Sequence, residues 1–255
     1  MPALKPAGLP VWRRPAAVLL AAVLVAALTA RMGLWQLDRA AQKRALAERI
    51  QQRGALPRLD AHALARDAAS AAEQHQRRVV LHGRWLAART LYLDNRQMNG
   101  RPGFFVLTPL ELVPGDAVLV QRGWIPRDPQ DRTRLAPVRT PDGEVAVFGR
   151  IAPPPSALFA LGAAEDGTIR QNLDLPAYAR EIGVALRPLS VVETGDTSNP
   201  PAMTDADGLL RQWPQPSVDV GKHHGYAFQW FAMCALTVGL YVWFQILRPR
   251  RHAPS

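Results

Sequence analysis

The sequence predicts a membrane protein in which two transmembrane α-helices flank an extracytoplasmic α+β domain with an antiparallel β-sheet or small barrel. Three observations predict it: an uncharged apolar stretch near each end, basic tails outside those stretches, and a series of short strand-like segments over the roughly 185 residues between them.

The second apolar stretch is the clearer one. Tyr226 to Leu247 is 22 residues without an acidic or basic side chain. As a helix it spans roughly 33 Å, enough to cross a hydrocarbon core of about 30 Å. Tyr226, Phe228, Trp230 and Phe231 gather at one end and Tyr241, Trp243 and Phe244 at the other, where amphipathic rings prefer the two interfaces. The first stretch, Pro15 to Ala30, reads either as a cleaved signal peptide behind Arg13-Arg14 or as a retained anchor. Leu28-Thr29-Ala30 is a poor cleavage triplet, and apolar character resumes after Arg31 with Met32, Leu34, Trp35 and Leu37. A span over residues 13–36, with Arg31 snorkelling to the interface, is the favoured reading.

Charge sets the expected topology. Lys5, Arg13 and Arg14 precede span one, and Arg248, Arg250 and Arg251 follow span two; these six supply more than half of the formal net charge of +10, and neither tail carries an acid. Short basic tails stay in the cytoplasm, so both termini are expected inside and the intervening domain outside. Arginine in large excess over lysine, with abundant alanine, suggests a bacterium with a GC-rich genome and hence an inner-membrane protein with a periplasmic domain. The single cysteine, Cys234, lies within span two, so the external domain is held by its core without a disulfide. The basic excess sits in membrane-flanking tails, which argues against nucleic-acid binding. The expected division is a tail 1–12, helix 13–36, periplasmic domain 37–222, helix 223–247 and tail 248–255.

Within the domain, helical pattern runs from Asp38 to Arg53, ended by Gly54 and Pro57, and an alanine-rich second helix is expected over Asp60 to Gln76. Strands follow at Arg78 to Trp85, Thr90 to Asp94, Phe104 to Leu112, Ala117 to Trp124 and Glu144 to Ile151, with turns at Asn99 to Gly103 and Pro114-Gly115-Asp116. Thr168 to Leu173 and Pro188 to Glu193 are read as the last strands, with a helical turn over Pro176 to Ile182, and Gly195 to Pro216 as a loop.

Catalytic motifs are absent: no Gly-x-Ser-x-Gly elbow, no phosphate-binding loop and no zinc-type spacing among His62, His75 and His82. One cysteine without a Cys-x-x-Cys pair does not suit copper(I) trafficking. The protein is therefore expected not to be an enzyme, an extracytoplasmic enzyme with an unrecognised site being the alternative. His223-His224 stands at the outer mouth of span two. A neutral imidazole there suits an axial ligand of haem iron, or alternatively a polar cap of the helix. The two rings point about 100° apart, so they are not two ligands of one metal. With antiparallel spans, Trp35, Gln36 and Arg39 emerge at the face that His223 enters, and Gly33 permits close helix approach. A pocket of Trp35, Gln36, Arg39, His223 and Trp230 follows, with Arg211 and Trp213 to cover it or hold a carboxylate; Trp35 as a simple interface anchor is the competing reading.

Five segments, taken together and in order, carry a resemblance. They are Leu34-Trp35-Gln36-Leu37-x-Arg39, then Gly100-x-Pro102-Gly103-Phe104 through Thr108-Pro109-Leu110, then Arg122-Gly123-Trp124-Ile125-Pro126, then Arg211-Gln212-Trp213-Pro214, and His223-x-x-Tyr226-Ala227-x-x-Trp230. The chain resembles the Surfeit locus protein 1 family, assembly factors of haem-copper cytochrome c oxidase. The resemblance implies two membrane helices around an external domain, binding of haem A, its placement in oxidase subunit I, and contact with other oxidase assembly factors and membrane lipid. It maps the implicated histidine to His223, here between Lys222 and His224 where the family often has Asn and Leu, a departure that leaves the ligand assignment open between His223 and His224, with His223 favoured. A scaffold that stabilises a subunit I intermediate, without haem transfer, is the variant reading. Trp124 and Gly123 are expected to be structural: a Trp buried in the sheet and a glycine at a close backbone approach.

Overall fold

The computed structural model describes residues 13–155, 167–194, 207–213 and 221–248. The basic tails 1–12 and 249–255, and most of the expected loop from Gly195 to Pro216, lie outside the described residues. The chain divides into two compact units, residues 1–48 with 216–255, and residues 49–215.

The first unit is a pair of helices, α1 (Arg13–Ala55, continuing into the second unit) and α4 (Gly221–Tyr241, extended by a π-helical turn, Val242–Leu247). Both are long and apolar enough to cross a membrane. The expected span and the following amphipathic segment are one unbroken helix, because no Gly-Pro break separates them before Gly54. The less exposed positions of α1 include Ala22, Ala26, Thr29, Gly33, Gln36, Ala40, Lys43 and Ala47, spaced alternately by four and three, with Ala30 and Met32 beside them. Those of α4 are His223, Ala227, Trp230, Cys234, Thr237 and Tyr241, spaced the same way. An alternating 4,3 spacing keeps one seam facing a partner helix, and the α1 seam is built of small side chains that admit close approach. Contacts between the seams run antiparallel: Cys234 Sγ donates to the Ala26 carbonyl at 3.4 Å, and a Cβ on Gly33 would lie 2.7 Å from the Phe231 ring.

The second unit is a mixed α+β domain. After α1 come α2 (Ala68–Gln74) and the strands β1 (Arg78–Trp85), β2 (Leu91–Met98), β3 (Arg101–Val113), β4 (Asp116–Pro126), β5 (Glu144–Ala152) and β6 (Ile169–Arg170), then α3 (Leu175–Ile182) and β7 (Ala185–Glu193). The sheet order is β1-β5-β7-β4-β3-β2-β6, and β1 also pairs with β3 through Arg84↔Glu111 and Trp85↔Leu110. Five strands thus close a ring, in keeping with the expected small barrel. Five of the seven strand pairings are antiparallel, and β4–β7 and β2–β6 are parallel. Strand β7 returns beside β4 after α3, and that crossover, unlike a hairpin, sets the parallel direction.

The ring interior is filled by Val79, Leu81 and Trp85 of β1 with Leu110, Val118, Val120, Val147, Ile151, Leu189 and Val191. On its outside, α3 packs Leu175, Tyr178 and Ile182 against Leu91, Leu93, Leu107 and Leu119. Strand β4 is covered on both faces, and Ala117 to Ile125 are all buried. That explains why Ala117 to Val120 is a continuous apolar run instead of an alternation.

Two elements are shorter than expected. The alanine-rich segment is helical only from Ala68, where Asp67 caps the helix by accepting from the Ser70 amide at 3.0 Å. Upstream, Asp60 accepts from the amides of His62 and Ala63 at 3.0 Å each, a turn that competes with helix. The strand expected at Thr168 to Leu173 is reduced to Ile169–Arg170, because Asp174 caps α3 immediately afterwards.

Candidate functional site

In the helix pair, the structure brings His223 and Gln36 together. Nδ1 of His223 lies 2.8 Å from Oε1 of Gln36. An amide oxygen only accepts, so the neutral ring carries its proton on Nδ1 and keeps its lone pair on Nε2. Nε2 has no partner among the described residues. His224 differs: its Nε2 lies 3.3 Å from a guanidinium nitrogen of Arg44, which only donates, so that lone pair is occupied. The adjacent histidines therefore hold opposite ends of their rings in hydrogen bonds. Of the two, His223 has one ring nitrogen oriented by a hydrogen bond to a neutral acceptor and the other without a partner among the described residues.

The other expected pocket residues fall into place unevenly. Trp230 is half-buried on the same seam as His223. Trp35 is 53% exposed and Arg39, also exposed, donates to Gln42 at 3.0 Å; neither lies on the seam. Ala227 is buried in the seam.

Arg211 and Trp213 belong to the barrel unit and serve it. The Arg211 guanidinium, 5% exposed, donates to both carboxylate oxygens of Asp207, at 3.2 and 2.6 Å, and to Glu193 at 3.0 Å. Trp213 Nε1 donates to the Glu193 carbonyl at 2.6 Å. This engagement gives Arg211 a structural role in place of the expected grip on a bound carboxylate. Arg122 joins the same cluster. It is 2% exposed, donates to Thr140 at 2.7 Å and to the Arg139 carbonyl at 2.8 Å, and its guanidinium carbon lies 4.7 Å from the centre of the Trp85 ring. Burial pushes the Glu193 carboxyl up to about 7, against the pull of Arg211 and Arg122. These groups line a cavity of about 470 Å³.

Trp124 and Gly123 hold their expected structural places. Trp124 is buried, its Nε1 donating to the Arg96 carbonyl at 2.8 Å, and it exchanges backbone hydrogen bonds with Leu210. A Cβ on Gly123 would lie 2.7 Å from that of Leu209, so only glycine lets the 207–213 segment dock on β4. Two motif segments about 85 residues apart are thereby joined. Asp207 stands four residues before Arg211, a local spacing; no local pattern marks Glu193 as a partner of Arg211, or Asp207 as a partner of Arg122.

Comparison with known proteins agrees with this layout. Surfeit locus protein 1 of Arabidopsis thaliana is 26% identical over 209 residues, an alignment covering 62% of this chain and 58% of the plant protein. The chain thus spans less than two thirds of that relative's length. Residues 23–235, from within the first apolar helix to within the second, match the SURF1 family, and the chain belongs to it.

Proposed function

We propose that this protein is a bacterial inner-membrane assembly factor for a haem-copper cytochrome c oxidase. It binds haem A at the periplasmic end of its helix pair and helps subunit I receive it. Membership of the SURF1 family supports the oxidase reading. The observation that carries haem binding is the Gln36–His223 hydrogen bond, which fixes the ring and leaves Nε2 as the free donor. His223 would supply a nitrogen ligand to haem iron, and Gln36 would hold the imidazole in the ligating tautomer. Trp230 lies on the same seam, and Trp35 and Arg39 flank it; an indole suits contact with a macrocycle and a guanidinium suits a propionate. A single protein ligand suits a carrier, which must release what it binds. The protein itself makes and breaks no covalent bond. Both termini lie in the cytoplasm, the barrel faces the periplasm, and subunit I, other oxidase assembly factors and membrane lipid are its partners.

The test is the absorption spectrum of protein purified from cells making haem A. Wild type and His224→Ala are expected to carry haem, and His223→Ala to lose it. Haem unchanged in His223→Ala overturns the ligand assignment. Wild type that co-purifies with subunit I yet carries no haem replaces the carrier by a scaffold.

A further inference from the structure

On the outer face of the barrel, the pairing of β1 with β5 sets Arg78 directly opposite Arg150. Like charges at directly opposed positions repel, and sheets ordinarily avoid them. Neither arginine has a carboxylate partner among the described residues. Among the described residues Arg150 donates to Oε1 of Gln76, at 2.5 Å, and burial lowers its pKa, the sign of a cation without full compensation. Arg78 holds a buried Nε with no hydrogen-bond partner. A third guanidinium, that of Arg58, stands 5.9 Å above the Phe148 ring between these strands. The three surround a cavity of about 290 Å³, and no acidic side chain among the described residues lines it. Gln76, which holds Arg150, sits at φ 74°, a left-handed backbone that a non-glycine residue adopts only when its surroundings enforce it.

The contrast with the rest of the barrel gives this cavity its meaning. Arg122, Arg187 and Arg211 are each matched by carboxylates of the same chain. Around Arg78 and Arg150 the matching negative charge is missing from the described residues, while donors, concavity and backbone strain are present. Guanidinium forks match the oxygens of phosphate and carboxylate, and several cations around one cavity favour the doubly charged group. The volume suits a small ligand.

We propose that the cavity between β1, β5 and the end of α1 is a binding site for a phosphate group, with Arg78 and Arg150 as its principal donors and Arg58 at its rim. The inference is independent of any haem at the helix pair.

Thermal unfolding of the full chain in a nonionic detergent tests it, with inorganic phosphate, glycerol phosphate, acetate or chloride added at matched ionic strength. Phosphate is expected to raise the melting temperature saturably, and Arg78→Gln or Arg150→Gln to weaken its apparent affinity roughly ten-fold or more. The same substitutions relieve the opposed charges, so without ligand at low salt each variant is expected to melt at or above the wild-type temperature. That pairing of undiminished stability with lost response separates a binding role from a structural one. A larger shift with glycerol phosphate assigns the site to a phosphate ester, and equal shifts assign it to the free ion. No shift beyond that of chloride, an equal shift with acetate, or a response that survives both substitutions overturns the proposal.

Discussion

Along the seam of the helix pair, polar groups meet one at a time and without net charge: Gln36 with His223, the Cys234 thiol with a carbonyl. In the barrel they meet in charged sets, with Arg122 and Arg211 gathered around Asp207 and Glu193, and Arg187 gripping Asp116 at 2.7 Å through two nitrogens. The difference follows from what each region has to spare. An apolar seam of small residues tolerates a neutral hydrogen bond but offers nothing to neutralise a buried ion. The barrel has enough strands to surround an ion with partners. A cluster whose charges answer one another holds a fold together; a lone pair or a cation left over marks the place to look for a ligand.

The largest test of that contrast lies in the barrel. Arg187→Ala removes a guanidinium that is 5% exposed and that also donates to the Leu64 carbonyl at 2.8 Å. Breaking a buried pair from one side is expected to cost about 3–5 kcal/mol, read by chemical denaturation of the full chain in detergent. A loss below about 1 kcal/mol, the range of surface pairs, breaks the comparison.

Next in size is a pH effect. Between the ordinary glutamate value of 4.5 and about 7, folded Glu193 keeps a proton that the unfolded chain has released. The unfolded state then binds fewer protons, so stability falls as pH rises through this window, by roughly 3 kcal/mol in all. Glu193→Gln is expected to flatten that part of the profile, and an unchanged slope would refute the assignment.

The helix pair gives smaller effects, visible in binding more than in stability. Gln36→Leu removes the orienting acceptor and is expected to weaken haem binding 10–100-fold, roughly as for other partners of metal-bound histidine. Gln36→Glu, which still accepts from Nδ1, is expected to restore most of it. Equal loss in both variants would mean that Gln36 only packs. The smallest effect belongs to His224→Ala: with its Nε2 already facing Arg44, its removal is expected to change bound haem by less than about twofold.

Much of this was legible in the sequence. Gly54 marks the end of α1 to within a residue, and β1 runs over the same residues, Arg78 to Trp85, that its pattern indicates. Local chemistry decides such elements. The shorter α2 shows local chemistry in conflict, alanine propensity against two aspartates that favour turns and caps. The ring closure between β1 and β3 rests on two residue pairs and leaves no pattern in either strand. The histidine pair was half legible: a helix turns 100° per residue, so the two rings had to face different ways. Which of them faces α1 depends on the partner helix, and Gln36 supplies that answer from 187 positions away.

The Gln36–His223 pair also acts as a key for alignment. Sliding α4 by one heptad, about 10 Å, would put Thr29 or Lys43 where Gln36 stands, and Ala26 or Ala40 where Gly33 receives Phe231. Lysine only donates, and the Thr29 hydroxyl already donates to the Val25 carbonyl at 2.8 Å. Either slip loses the planar amide acceptor and jams the aromatic ring against a methyl group. A smooth seam of alanines would let the helices settle at several offsets. One polar pair beside one missing side chain selects a single offset, much as a buried polar residue does in a coiled coil.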